Sequence, residues 1–177
     1  AVGLEFIAVQ RTWNIPLPPR DGAAVAAHLG SGGTGKSARV SWAGRFSDDW
    51  QPSELREVPE LCGTKLASLT AGAFHCCALR DDGSLYVFGH EYGADESNGN
   101  LLGLGPRATR FEGERSFPHQ ATRVEGLPPV TSVACSTYST VAITTDGRCY
   151  SWGDCDGGAL GHGNRLCDVP TEVDLTV

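Results

Sequence analysis

The chain has 177 residues, 40% hydrophobic and 20% charged, enough for one globular domain with a real core. Its net charge of −7 argues against nucleic acid as the main ligand, which leaves a basic footprint, and no run of about 18 apolar residues offers a membrane span. Seven cysteines, an odd number with no C-x-x-C pair, fit neither a disulfide framework nor a zinc module; they read as buried thiols in an intracellular reducing compartment, whether cytoplasm, nucleus or an organelle.

The chain opens on an apolar run, Gly3 to Val9, that reads as a strand. Trp13 to Arg20 follows, with three prolines in four residues, which makes it extended and stiff. Residues 1–22 are therefore expected as an extended N-terminal segment outside the main fold, with Gly3 to Val9 free to pair elsewhere. Next comes a stretch that needs weighing. Gly30-Ser-Gly-Gly-Thr-Gly35-Lys36-Ser37 satisfies the phosphate-cradling pattern G-x-x-x-x-G-K-S. That chemistry requires a buried strand before the loop and a helix after it. Ala23 to Leu29 is alanine-rich, and Ala38 to Gly44 reads as a strand ending in glycine. The stretch is thus expected to be the turn of a hairpin. A nucleotide-binding protein using Gly30, Gly35, Lys36 and Ser37 is the rival reading.

The middle and the end of the chain repeat each other. Leu69 to Leu79 lies over Val133 to Ile143, Asp82-Gly83 over Asp146-Gly147, and Tyr86 to Gly89 over Tyr150 to Gly153, at a constant offset of 64 residues. Thr140 to Thr144 alternates in polarity, as does Cys149 to Trp152, which is the period of a half-buried strand. Asp-Gly between two such runs is a hairpin signal, because glycine accepts positive φ without steric cost. Leu101-Leu-Gly-Leu-Gly105 then matches Ala159-Leu-Gly-His-Gly163. Leu55 to Val58, Ala121 to Val124 and Pro170 to Val173 close three units, so repeats are expected at about 23–58, 59–124 and 125–173 within a domain spanning 23–177. In the first of them, Val40 to Gly44 is read against Tyr150 to Gly153, with Trp42 over Trp152.

Two insertions lengthen the middle unit. One is acidic, with Glu91, Asp95 and Glu96. The other is basic and aromatic, with Arg107, Arg110, Phe111 and Arg115. Loops carried by a repeat scaffold are its usual binding segments, so these residues are the candidate partner contacts.

Taken as a set, the Ala-Cys/Gly start, the Ala-Leu/Ile strand, Asp-Gly, Tyr-x-Phe/Trp-Gly and Leu-Gly-x-Gly resemble the regulator of chromosome condensation repeat, over roughly Leu66 to Val173. Gly72 and His75 keep that family's Gly-x-x-His, whereas Ser136 and Ser139 replace it in the later copy. The resemblance implies an all-β fold, a β-propeller of about three blades, part of a ring that in this family needs about seven repeats. It also implies a platform for protein partners. Some members exchange nucleotide on a small GTPase, some bind chromatin, and a plant branch senses ultraviolet light through clustered tryptophans. The four tryptophans here, Trp13, Trp42, Trp50 and Trp152, are spread along the chain.

Catalytic constellations are not evident. His75 adjoins Cys76, but neighbouring strand residues face opposite ways. His28, His90, His119 and His162 form no His-x-x-x-His pattern, so neither a catalytic nor a metal site, nor any cofactor, is expected. The expected function is a non-catalytic scaffold for protein–protein interaction within a larger propeller or multi-subunit complex. Exchange on a small GTPase is an alternative. Three blades leave two flanks open, so the 177 residues are not expected to stand as a free monomer.

Overall fold

Runs of alternating polarity become three antiparallel sheets of four strands. The computed structural model describes residues 5–9, 23–30, 37–44, 56–72, 75–89, 101–105, 120–163 and 165–175; in the first three strands this means the backbone and the side chain of Val40. The first sheet holds β1 (Glu5–Val9), β2 (Ala23–Gly30), β3 (Ser37–Gly44) and β4 (Arg56–Glu57). The second holds β5 (Leu66–Ala71), β6 (His75–Arg80), β7 (Leu85–Gly89) and β8 (Thr122–Arg123). The third holds β9 (Val130–Cys135), β10 (Ser139–Thr144), β11 (Cys149–Gly153) and β12 (Cys167–Glu172). In each sheet, strands that follow one another in the chain lie side by side. These are consecutive blades of a partial β-propeller.

Each blade closes in the same way. The backbone N–H of Val58 donates to the carbonyl of Val40, that of Val124 to Leu85, and that of Val173 to Cys149, at 2.8, 2.9 and 2.8 Å. This common rung aligns the three blades residue by residue. It places Ser41, Tyr86 and Tyr150 in one position, opposite Glu57, Arg123 and Glu172. Ala43 is therefore the counterpart of Phe88 and Trp152, and Trp42 is one register position away, which corrects the match of Trp42 to Trp152. A single slipped residue moves a side chain to the other face of the sheet. A second correction concerns the N-terminus. β1 pairs along its whole length with β2, from Glu5↔Leu29 to Val9↔Val25, so the first blade begins at Glu5 and not at residue 23. Closing a local hairpin costs less chain entropy than reaching across an open ring.

The Asp-Gly turns form as expected. Gly83 and Gly147 sit at φ 82° in both hairpins, and their N–H groups donate to the carbonyls of Arg80 and Thr144, each at 3.0 Å. Asp82 accepts from the backbone N–H of Ser84 at 2.8 Å. Asp146 accepts from Arg148 Nε at 2.8 Å and from Nη2 at 2.6 Å.

Burial follows the pleat. In β6 the even residues Cys76 and Ala78 pack toward the first blade, with Phe88, Val58, Leu61 and Val40. The odd residues Cys77 and Leu79 pack toward the third, with Leu85, Val87, Tyr150 and Trp152. Trp152 is fully buried. A Cβ on Gly103, which is held at φ 67°, would stand 2.5 Å from the indole Nε1, so the Leu101–Gly105 loop can lie against the ring only with glycine there.

Truncation of Trp152 to alanine is expected to destabilise the fold by about 3–5 kcal/mol, through lost burial and a cavity that the blades cannot collapse into. Urea unfolding of Trp152→Ala against the parent checks this. The Arg148 guanidinium, with help from the Thr144 hydroxyl, lowers the Asp146 carboxyl from 3.8 to about 2. A depressed folded value means that the contribution to stability is present above about pH 3.8 and fades as pH falls through about 2. Carboxyl NMR titration should find a midpoint near 2 for Asp146, rising toward the ordinary carboxylate range in Arg148→Gln.

Candidate functional site

Two features of the blades bear on function: a buried polar seam between the second and third blades, and the outer face of the third. The seam is built from strand alternation. His75 and Cys77 are two apart in β6, so both face the third blade. Cys135 ends β9 and is the register partner of Thr140 in β10. All four are buried. His75 Nε2 is 2.7 Å from Thr140 Oγ1, and Nδ1 of the same ring has no hydrogen-bond partner among the described residues. A Cβ on Gly72 would stand 3.0 Å from that Nδ1 and would clash with the carbonyl of Ser136, so only glycine admits the ring here.

The two thiols divide their roles. Cys77 hydrogen-bonds to Cys135, and this together with burial pushes its thiol up. The bond from Cys77 and the nearby His75 ring lower the Cys135 thiol. Burial, with a smaller contribution from Cys135, pushes Cys76 up, on the opposite face. One ring nitrogen of His75 and the Sγ atoms of Cys77 and Cys135 lie within 4.8 Å of one another, the group of donors among the described residues with the reach to hold a metal ion. Reading along the sequence kept these residues apart. The pair at i and i+2 in β6 was visible. Its meeting with a cysteine 58 residues later depends on how two sheets stack, which leaves no periodic trace.

The outer face of the third blade is the second feature. At the 64-residue offset, Val141 and Ile143 correspond to Cys77 and Leu79. Leu79 is 2% exposed beneath the third blade, whereas Ile143 is 37% exposed. Val141 and Cys149 beside it are half-buried. On the same sheet Ser151 is covered, with Oγ donating to the Leu160 carbonyl at 2.6 Å and lying 3.0 Å from His162 Nε2. A polar cleft of about 350 Å³ runs along the end of the second blade, where Arg80 stacks 4.0 Å over the Tyr86 ring, with Asp82, Arg123 and Pro129 nearby.

The residues singled out from sequence fall as follows. Gly30 and Ser37 are register partners at the open end of the β2–β3 ladder, while Gly35 and Lys36 lie outside the described residues. Glu91, Asp95, Glu96, Arg107, Arg110, Phe111 and Arg115 also lie outside them, as do Trp13, Trp50, His90 and His119. No helix among the described residues is long and apolar enough to cross a membrane.

Comparison with known proteins places this geometry. Two models of the regulator of chromosome condensation (RCC1) repeat match, one at residues 67–93 and 130–156 and the other at 146–176, which is to say in the second and third blades. The mitochondrial RCC1 domain-containing protein RUG3 of Arabidopsis thaliana is 34% identical over 113 residues, covering 63% of this chain and 24% of RUG3. Protein pim1 of Schizosaccharomyces pombe is 32% identical over 123 residues, 66% of this chain and 22% of pim1. The chain thus spans about a quarter or less of the length of these curated relatives. Among solved structures, Prp20p of Saccharomyces cerevisiae, described with its binding properties to Gsp1p and histones, superposes with a TM-score of 0.63 at 21% identity. It covers 86% of this chain and 36% of Prp20p. That likeness is one of fold.

Proposed function

Because its second and third blades match the regulator of chromosome condensation repeat, we propose that this chain is a non-catalytic scaffold for protein partners, working as a run of three blades within a larger propeller or multi-subunit assembly. The observation that carries this is the unequal burial of equivalent positions. Leu79 and Ile143 occupy the same place in successive blades, and the first is covered by a neighbour while the second is 37% exposed. The face of the third blade is built to receive what the second blade receives. Val169 at 47% and Leu175 at 64% are further large apolar side chains left exposed, and exposed apolar surface marks interfaces.

The lengthened loops supply the contacts in this reading, through acidic Glu91, Asp95 and Glu96 and through Arg107, Arg110, Phe111 and Arg115, since a rigid scaffold leaves recognition to its loops. The glycine-rich stretch serves as a hairpin connection and not as a nucleotide site. In support, β2 and β3 pair antiparallel up to Gly30↔Ser37, whereas a phosphate loop leads from a strand into a helix. A reducing compartment suits a chain whose seven cysteines are all free thiols.

Sedimentation of the isolated chain tests the scaffold reading. Self-association is expected, reduced in Ile143→Asp, because the charge spoils the open face without disturbing the cores between blades. A cooperatively folded monomer that binds no apolar dye would overturn the reading. A second reading, nucleotide exchange on a small GTPase, is favoured by the shared fold with Prp20p, which is described as binding Gsp1p. It predicts faster release of labelled GDP from a small GTPase when the full protein is added, and loss of that effect when the basic loop residues Arg107, Arg110 and Arg115 are changed to alanine. Unchanged release across a panel of small GTPases would leave the scaffold reading alone.

A further inference from the structure

A histidine and two cysteines meet inside the seam between the second and third blades, and nothing in the scaffold role uses them. His75 and Cys77 come from β6 and Cys135 from the end of β9, so the donors belong to two different blades. One ring nitrogen and two Sγ atoms lie within 4.8 Å of one another. The three residues are 0%, 0% and 6% exposed. The fully buried ring has one nitrogen 2.7 Å from the Thr140 hydroxyl and the other without a hydrogen-bond partner among the described residues. A buried polar atom left unpaired is rare and calls for an explanation.

We propose that this seam holds one zinc ion, ligated by His75, Cys77 and Cys135. An imidazole nitrogen and two thiolates are a donor set that zinc takes, at about 2.0–2.1 Å for nitrogen and about 2.3 Å for sulfur. Donors around one ion at those lengths stand roughly 3.5–4 Å apart, so the present spread closes with a contraction of about 1 Å. Two thiolates cancel the charge of the dication. The filled seam is then neutral, as a site shut off from water requires. Hard cations such as magnesium and calcium are excluded by the absence of carboxylates from the set. Binding releases the two thiol protons to solvent, one from Cys77 and one from Cys135. The Thr140 hydroxyl is the nearest further oxygen and orients the ring.

The site is particular to one seam. At the 64-residue offset the third blade carries Ser139 and Val141 in place of His75 and Cys77, and the second blade carries Ala71 in place of Cys135. The ion is therefore no general device of the repeat. Its donors are covered only once the two blades have docked, so the ion enters during folding and pins these blades together.

The test is elemental analysis of the full protein, purified without chelator and dialysed. One zinc per chain is expected, falling to below about a tenth in Cys77→Ser and in Cys135→Ser, while Cys149→Ser, outside the cluster, retains its zinc. Because the first two variants also disturb a packed seam, the parent protein is refolded with cobalt(II) as a spectroscopic probe. Thiolate-to-cobalt charge-transfer absorption at one equivalent supports the site whether or not those variants fold. Folded parent protein without zinc overturns the proposal. So does copper as the bound ion, a Cys77–Cys135 disulfide in peptide mapping, or a cobalt complex without thiolate bands.

Discussion

The structure depends on strands buried on both faces at once. In β6 every residue from His75 to Leu79 is buried, and the alternation of the pleat sends neighbours in sequence to different blades. Cys76 and Ala78 serve one interface, and Cys77 and Leu79 the other. Such a strand has no solvent face of its own. It requires a partner sheet in front and another behind, and this requirement is what turns a hairpin repeat into a ring segment. The aromatic position repeats the logic: Phe88 packs back onto the first blade and Trp152 onto the second.

Much of this was legible along the chain, because the blade is a local object. Strands joined by Asp-Gly turns are neighbours in sequence and in space, so the constant offset of 64 residues carries the hairpins and the aromatic pair together, while the closing valines follow at their own spacing after the inserted loops. The first blade was harder. Its Asp-Gly turn and aromatic-glycine signature are missing, and without them the sequence aligns Trp42 one position away from its place in the pairing register. β1 reads from the sequence as lying outside the fold for a related reason. A strand followed by a proline-rich stretch gives no local hint that it returns to pair with β2.

The polar seam was illegible for a different reason. His75, Cys77 and Cys135 are brought together by one sheet stacking on another, and the lateral register of two stacked sheets is set by side-chain volumes summed over both faces. No spacing rule reports it. The same holds for Gly103, whose need to be glycine comes from the indole of Trp152 and not from its own loop. Residues chosen by long-range packing look ordinary in sequence, and here they include the ones with chemical character.

The fourth strand of each blade has a further consequence. β4 and β8 are two residues long, and β12, at six, contains Pro170. A short or proline-interrupted border offers few free backbone donors to an incoming strand. Side-by-side extension of a sheet, the route to amyloid-like stacking, is thereby blunted along these borders. The sticky surface of the arc is instead a face, the one that displays Ile143. These borders thus disfavour strand addition, and apolar surface is left on a face of the sheet instead.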